Sequence, residues 1–173
     1  GHGYTEKREL DKAMADLNEA LRLDEDLPCG YSNRGRVHGF KRDFQLALAD
    51  YDRALKIKPD FALAWNNRGS VWMNTGNNEK ALADFNQAIR FDPKLATAFS
   101  NRALIYYRMR QYDRAIADYT TEIKLRPTVL AYISRGNVYR DKDDLDKAIA
   151  DYSEVIRIAP DDVADRGAAG LDA

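Results

Sequence analysis

A repeat of about 34 residues runs through the chain and restricts its fold more than any other feature. The motif Ala-x-Ala-Asp, followed by Tyr, Phe or Leu, occurs five times, with successive steps of 34, 34, 34 and 33 residues. A period of this length that contains two helical segments is typical of a helical solenoid, in which each repeat packs on its neighbours. The motif begins at Ala13, Ala47, Ala81, Ala115 and Ala148.

Other positions recur in the same register. An aromatic residue opens each repeat at Tyr31, Trp65, Phe99 and Tyr132. A small residue follows four positions later, at Gly35, Gly69, Ala103 and Gly136. A second ring comes three residues after that, at Tyr4, His38, Trp72, Tyr106 and Tyr139. A proline closes each unit at Pro59, Pro93, Pro127 and Pro160. Agreement at several positions in four or five successive units makes coincidence a poor explanation.

This pattern resembles the tetratricopeptide repeat (TPR) family, in an Asn-Arg-Gly variety, and the resemblance covers nearly the whole chain. It implies an all-α fold, a right-handed TPR superhelix (α-solenoid) of antiparallel helix pairs, and we expect the chain to be a fragment of a longer array. The expected array covers residues 1–162, followed by a C-terminal tail or weak capping helix at 163–173. Its units are a partial first repeat at 1–27 and repeats at 28–61, 62–95, 96–128 and 129–162.

Each repeat is predicted to contain a helix A and a helix B joined by short turns. In the first repeat, residues 1–7 are expected to be the end of a helix A, and helix B is expected near residues 10–23. Asp43, Asn77 and Asp144 are predicted N-caps. The prolines should end each helix B, because proline disfavours helical geometry in the residue before it. The remaining helices are predicted near 29–41, 44–57, 62–75, 78–91, 96–109, 112–125, 129–141 and 145–158.

Two irregularities coincide in the fourth repeat. Glu122 replaces the alanine of earlier units, and the step into the fifth repeat is one residue short, near residues 128–131. One interpretation is that the fourth and fifth repeats stack at a different angle from the others. The alternative is that Glu122 reaches solvent and the turn absorbs the deletion.

The overall charge gives no sign of a nucleic-acid or acidic-membrane partner. The formal net charge is −1, with 32% charged residues, which is the profile of a folded soluble protein. No apolar run approaches the roughly 20 residues that a bilayer span needs, and no leader pattern opens the chain. The single cysteine excludes an internal disulfide. Cytoplasmic localisation is the expectation.

Enzyme chemistry and metal binding find little support. Cys29 and His38 are nine residues apart on one helix and so point in opposite directions. The acidic run at residues 141–146 lacks the glycine and distal glutamate of a calcium loop. We therefore predict no enzyme activity, no catalytic residues, no metal and no cofactor.

An arginine precedes an aspartate by sixteen residues in four repeats. This recurrence of opposite charges on paired helices predicts structural ion pairs, because a guanidinium meets a carboxylate through two hydrogen bonds. The predicted pairs are Arg34 with Asp50, Arg68 with Asp84, Arg102 with Asp118, and Arg135 with Asp151.

Asparagine precedes three of these arginines, at Asn33, Asn67 and Asn101. Asparagine is a mediocre helix former, but its amide offers the donor and the acceptor that a peptide bond needs. In the TPR superhelix this position faces the concave groove, in a way similar to the asparagine-lined arm of the O-linked N-acetylglucosamine transferases. The asparagines could instead bond only to neighbouring helices. With the other residues on this face, the predicted groove comprises Asn33, Arg36, Phe40, Asn66, Asn67, Ser70, Met73, Asn74, Ser100, Asn101, Leu104, Tyr107, Arg108, Asn137 and Arg140.

The leading functional hypothesis is a non-catalytic protein–protein interaction scaffold that binds a peptide or protein segment in this groove. Two alternatives stay open. The chain could be a self-associating assembly scaffold through its exposed end repeats, forming a homo-oligomer by end-to-end packing. It could also be the recognition arm of a larger enzyme.

Overall fold

The computed structural model describes residues 2–160, and side chains from residue 9 onward. Within this part of the chain all regular structure is α-helical, so the predicted all-α fold is confirmed. The chain divides into two compact units, Gly1–Leu95 and Ala96–Ala173. The tail expected at 163–173 lies outside the described residues. The helices are α1 (His2–Leu23), α2 (Pro28–Phe40), α3 (Phe44–Ile57), α4 (Ala62–Asn74), α5 (Asn78–Phe91), α6 (Ala96–Arg108), α7 (Tyr112–Leu125), α8 (Val129–Asp141) and α9 (Leu145–Ile158).

The proline positions end helix B as predicted. Lys58, Asp92 and Arg126 each precede a proline, and all three leave the helical region, with φ between −151° and −129° and ψ near 90°. This is the conformation that the ring of a following proline enforces. The backbone therefore turns at the same point in successive repeats.

The turn from helix A to helix B uses a residue with positive φ. Arg42 has φ 63° and Gly76 has φ 81°. Asn77 then caps α5, where its side chain accepts a hydrogen bond of 3.1 Å from the Lys80 amide. Asp43 and Asp144 occupy the predicted N-cap positions without a side-chain cap hydrogen bond.

The first repeat differs from the expectation. Instead of two helical segments separated near residues 8–9, the structure has one continuous helix, His2–Leu23. The sequence from Thr5 to Glu9 contains no glycine, asparagine or proline. Glutamate, lysine and arginine have high helix propensity, so nothing local ends the helix there.

The small residues allow helices A and B to approach closely. A Cβ atom on Gly69 would lie 2.7 Å from Cε1 of Phe85, and one on Gly136 would lie 2.7 Å from Cε1 of Tyr152. These distances are shorter than van der Waals contact, so the helix pairs depend on glycine here. In the second, third and fourth repeats, the motif alanine and the ring four residues after it are buried: Ala47 and Tyr51, Ala81 and Phe85, and Ala115 and Tyr119.

Glu122 does not reach solvent, and that expectation was wrong. The residue is 4% exposed, in the position of the buried Ala54 and Ala88. Helix α7 directs this side chain into the helix packing, where the Ser100 hydroxyl is a hydrogen-bond partner. A different stacking angle between the fourth and fifth repeats stays a prediction.

Candidate functional site

All four arginine–aspartate pairs form, and each is bidentate. The arginine Nη2 lies 2.6–2.7 Å from one carboxylate oxygen, and its Nε lies 2.7–2.9 Å from the other. The aspartates are buried. Because each of these guanidiniums already has a counter-charge, the pairs hold helix A to helix B and are poor candidates for ligand contacts.

The same arginines also link consecutive repeats within each unit. Nη1 of Arg68 donates to Asp52 of the preceding helix B at 2.6 Å, and Nη1 of Arg34 donates to Asn18 at 2.9 Å. In the second unit, Arg135 donates to Thr120 in the same way, at 2.9 Å. A planar guanidinium presents five donors in a fixed fork and can bond both partners at once, whereas the compact ammonium group of a lysine does not match this geometry.

A cavity of about 260 Å³ opens in the first unit. We call it the α2–α4 groove. It lies between the two A helices, and residues of α3 complete its lining. Five predicted groove residues belong to it. Its lining is Arg36, Gly39, Phe40, Phe44, Tyr51, Asn67, Ser70, Val71 and Asn74.

The groove combines apolar surface with one positive charge. Phe40 is 69% exposed, although it is a large apolar side chain, whereas Tyr51 and Val71 are buried. Burial raises the pKa of Tyr51, and the nearby charge of Arg36 opposes that rise. Arg36 is exposed, and within the described residues no carboxylate forms an ion pair with it. The groove therefore carries an uncompensated cation beside exposed apolar surface.

The predicted asparagines take different positions. Asn67 lines the groove and is half-buried, and its side-chain oxygen accepts a hydrogen bond of 3.3 Å from Asn66. Asn66 is buried, so it supports Asn67 from behind. Asn33 is exposed beside the cavity and outside its lining, and Met73 is half-buried, also outside it.

On the corresponding face of the second unit, several polar side chains bond to one another. The Tyr107 hydroxyl donates to Asp141 at 2.5 Å, and Arg140 pairs with the same carboxylate at 2.8 Å. The Tyr152 hydroxyl donates to Asn137 at 2.8 Å. These contacts occupy three of the predicted groove residues of this unit. The others differ in exposure: Ser100, Asn101 and Leu104 are half-buried, and Arg108 is exposed.

The second unit contains another cavity, of about 440 Å³, beside its turns. The ion pair between Lys142 and Asp113 lies at its edge. None of its residues was predicted as a site, because they lie in and beside the inter-helix turns and not on the inner face of helix A. The lining is Arg110, Gln111, Tyr112, Asp113, Arg114 and Lys142.

Sequence reasoning missed the part of the α2–α4 groove that comes from helix B. Phe44 and Tyr51 lie on α3, and neither was predicted to line the groove. A usable signal was present, since the repeat places Tyr51 against Gly35, where a Cβ would lie 3.1 Å from the ring. A ring that packs with one side against a glycine of helix A leaves its other side available to line the groove.

Neither metal-binding nor membrane-spanning features occur in the described part. No group of three or more His, Cys, Asp or Glu side chains there could hold a metal ion. His38 takes the ring position of its repeat, with Nδ1 3.7 Å from Asp43 and Nε2 3.9 Å from Asp50. From residue 2 to residue 160, every helix is too short or too polar to traverse a bilayer.

Comparison with solved structures shows the same fold in several proteins. The crystal structure of MamA is similar over 92% of this chain and 94% of that chain, with a TM-score of 0.80 and 20% identity. MamA from Desulfovibrio magneticus RS-1 gives a TM-score of 0.76 and 22% identity, over 87% and 86% of the two chains. YrrB, described as a TPR protein with an unusual peptide-binding site, gives 0.71 and 21%, over 96% and 87%. No curated protein sequence matches the chain.

Sequence models of the tetratricopeptide repeat match most of the chain. One model matches residues 33–96 and 100–163, and a second matches residues 1–27. These ranges include the four arginine–aspartate pairs and most of the paired helices described above. The chain therefore belongs to the tetratricopeptide repeat family.

Proposed function

We propose that the chain is a non-catalytic protein–protein interaction scaffold, and that its α2–α4 groove holds a peptide segment of the partner. The observation that carries this proposal is an open cavity in which exposed Phe40, unpaired Arg36 and the amides of Asn67 and Asn74 lie together. Apolar surface with a few fixed polar groups is what a peptide site needs. The peptide-binding site reported for YrrB supports the proposal.

Asparagine gives the groove a means of holding a peptide backbone. The Asn67 side chain accepts one hydrogen bond, from Asn66, and its amide nitrogen donates none within the described part of the chain. That nitrogen is available to a peptide carbonyl. Asn33 is exposed on the neighbouring helix and extends the same polar row.

Selection of a binding heptapeptide from a random display library tests the proposal. We expect the double variant Asn33→Ala/Asn67→Ala to bind the selected peptide roughly tenfold more weakly, because two neutral hydrogen bonds contribute about 0.5–1.5 kcal/mol each. Isothermal titration calorimetry measures the affinity. Gln45→Ala removes an exposed amide outside the groove lining and should leave the affinity unchanged.

Unchanged affinity in the double variant would remove the asparagines from the proposed contact. If no peptide that binds in the groove can be selected, this result would count against peptide binding itself.

A second candidate function, self-association, is favoured by the exposed face of α9. Leu145, Ile149 and Ile156 lie on one side of this helix and are 54%, 62% and 54% exposed. At the matching positions of α7, Tyr112 and Ile116 pack in one cluster with Val138 of α8. The face of α9 thus has the composition of a repeat–repeat interface, which a helix of a second copy would cover.

Ile149→Glu/Ile156→Glu should abolish such association. A charge in an apolar interface loses its hydration without gaining a partner, while on an exposed face it costs the monomer little. Sedimentation equilibrium at several concentrations measures the effect. A wild-type chain that is strictly monomeric at high concentration contradicts this candidate.

A further inference from the structure

Arg36 is the feature of the α2–α4 groove that best restricts its ligand. Its neighbour Arg34, two residues earlier on the same helix, is neutralised by Asp50 at 2.7 Å. Arg36 has no such partner within the described residues, although it lines a cavity whose other lining residues carry no charge at neutral pH. A ligand that brings a carboxylate to this position gains a charge-assisted hydrogen bond.

Phe40 is one helical turn beyond Arg36. Four residues of an α-helix rise about 6 Å, so the two side chains leave α2 at points separated by about that distance along the helix axis. Phe40 and Phe44 supply apolar lining beyond Arg36 in the chain, and Val71 adds apolar lining from α4. The groove therefore has an anionic preference at one end and an apolar preference at the other.

An extended peptide has a matching internal spacing. Successive residues of an extended chain point to opposite sides, and residues i and i+2 point to the same side about 6.6 Å apart. Side chains separated by one residue can therefore reach both ends of the groove together. Adjacent side chains cannot, because they face in opposite directions.

We propose that the α2–α4 groove selects an extended peptide segment in which an acidic residue and a bulky apolar residue are separated by one residue. The carboxylate pairs with Arg36, the apolar side chain packs on Phe40 and Phe44, and the amide of Asn67 contacts the peptide backbone. This inference rests on the proposed peptide-binding function and adds the chemistry and the spacing of its ligand.

The test uses short fluorescein-labelled peptides and the full chain. Two peptides contain Glu-Ser-Leu or Leu-Ser-Glu between Gly-Ser flanks, with blocked ends. The comparison peptides replace Glu by Gln, or place Glu and Leu next to each other. Fluorescence anisotropy should show at least one spaced acidic peptide binding about tenfold more tightly than its Gln and adjacent counterparts.

Protein variants assign that preference to the groove. Arg36→Met keeps the apolar stem and removes the charge, so it should abolish the preference for Glu over Gln while the Gln peptide binds as before. Arg90→Met removes an equal charge from exposed α5, outside the groove lining, and should leave the preference intact. Phe40→Ala should weaken all the peptides that bind.

The outcomes separate the inference from the function on which it rests. Equal binding of the Glu and Gln peptides, or an Arg36→Met variant that keeps the preference, overturns the ligand chemistry and leaves peptide binding standing. Equal binding of the spaced and adjacent peptides overturns the spacing. Absence of binding by every peptide up to millimolar concentration overturns the inference, and binding of the library-selected peptide then decides whether the proposed function survives.

Discussion

Replacing Asp84 by asparagine is expected to lower the free energy of unfolding by about 3 kcal/mol, the scale found when one member of a buried ion pair is removed. Asp84 is 5% exposed and accepts two hydrogen bonds from Arg68, at 2.7 and 2.8 Å. An asparagine presents an NH₂ group to one of these donors, so one hydrogen bond is lost along with the buried counter-charge. The guanidinium is left partly buried against α5.

The same guanidinium provides a matched control. Asp52 also pairs with Arg68, at 2.6 Å, but its side chain is 64% exposed. Because water can replace an exposed carboxylate, Asp52→Asn should cost less than about 1 kcal/mol. The two substitutions are chemically identical and act on one arginine, so the difference between them measures the effect of burial.

Urea unfolding followed by circular dichroism measures both variants. Because neighbouring repeats stabilise one another, the measured loss of stability belongs to the coupled repeats and not to one helix pair. Wild type and both variants should therefore be compared under identical conditions. Equal losses for the two variants would show that the pairs act as surface ion pairs and that the sixteen-residue spacing has another cause.

The sixteen-residue spacing also illustrates how much of the fold is predictable from the sequence. Arg68 and Asp84 recur in register with glycine, ring and proline positions, and each of these has a local physical meaning that repetition makes visible. Helix ends follow from proline and from the Asn77 cap in the same way. Helices α2 to α9 therefore begin and end within a residue of their predicted limits.

The first helix and the groove were harder to predict because they depend on more than a recurring residue. α1 is continuous because its local helix propensity is high, although the repeat pattern placed a break there. The groove lining includes Phe44 and Tyr51, whose exposure to the cavity depends on how α3 lies beside α2 and α4. The repeat pattern identifies the inner face of helix A, but it does not specify how α3 packs beside α2 and α4.

The inner faces of helix A in the two units also differ in a way that the repeat pattern does not show. When the repeats are aligned, Asn74 of the first unit corresponds to Arg108 and Asp141 of the second. Asn74 lines the open groove, whereas Asp141 accepts a hydrogen bond from Tyr107. Equivalent places in a repeat can therefore be open in one unit and occupied in the other, and the pattern alone does not distinguish them.

Replacing Glu122 by glutamine is expected to stabilise the chain at neutral pH by about 1 kcal/mol, because a buried neutral amide costs less to desolvate than a buried carboxylate. Glu122 is buried, and its Oε2 atom has no hydrogen-bond partner. Its nearest cation, Arg126 Nη2, is 4.0 Å from Oε1. Burial raises the pKa of Glu122, and the Ser100 hydrogen bond and Arg126 oppose the rise only partly. A neutral amide of nearly the same shape avoids the cost of the buried charge.

The pH dependence gives the sign of the effect. Because the pKa of Glu122 is raised in the folded state, the folded chain binds this proton more tightly than the unfolded chain does. The wild type therefore has its full stability below the ordinary glutamate pKa and loses part of it as the pH rises through the raised pKa. The Glu122→Gln variant lacks this loss, so the two proteins should differ most near pH 7 and converge in acid.

Thermal unfolding at a series of pH values tests the prediction against Glu154→Gln. Glu154 is paired with Arg157 at 2.7 Å on the surface of α9, and hydrogen bonding to that arginine lowers the pKa of Glu154. Its shift has the opposite sign, so its replacement should give no stabilisation at pH 7. For a chain of this size, each 1 kcal/mol gained at Glu122 should raise the melting temperature by roughly 2–4 °C. The prediction is contradicted if Glu122→Gln melts at or below the wild-type temperature at pH 7. In that case the surroundings of the carboxylate stabilise its charge, and the glutamate at this alanine position of the fourth repeat does not destabilise the fold.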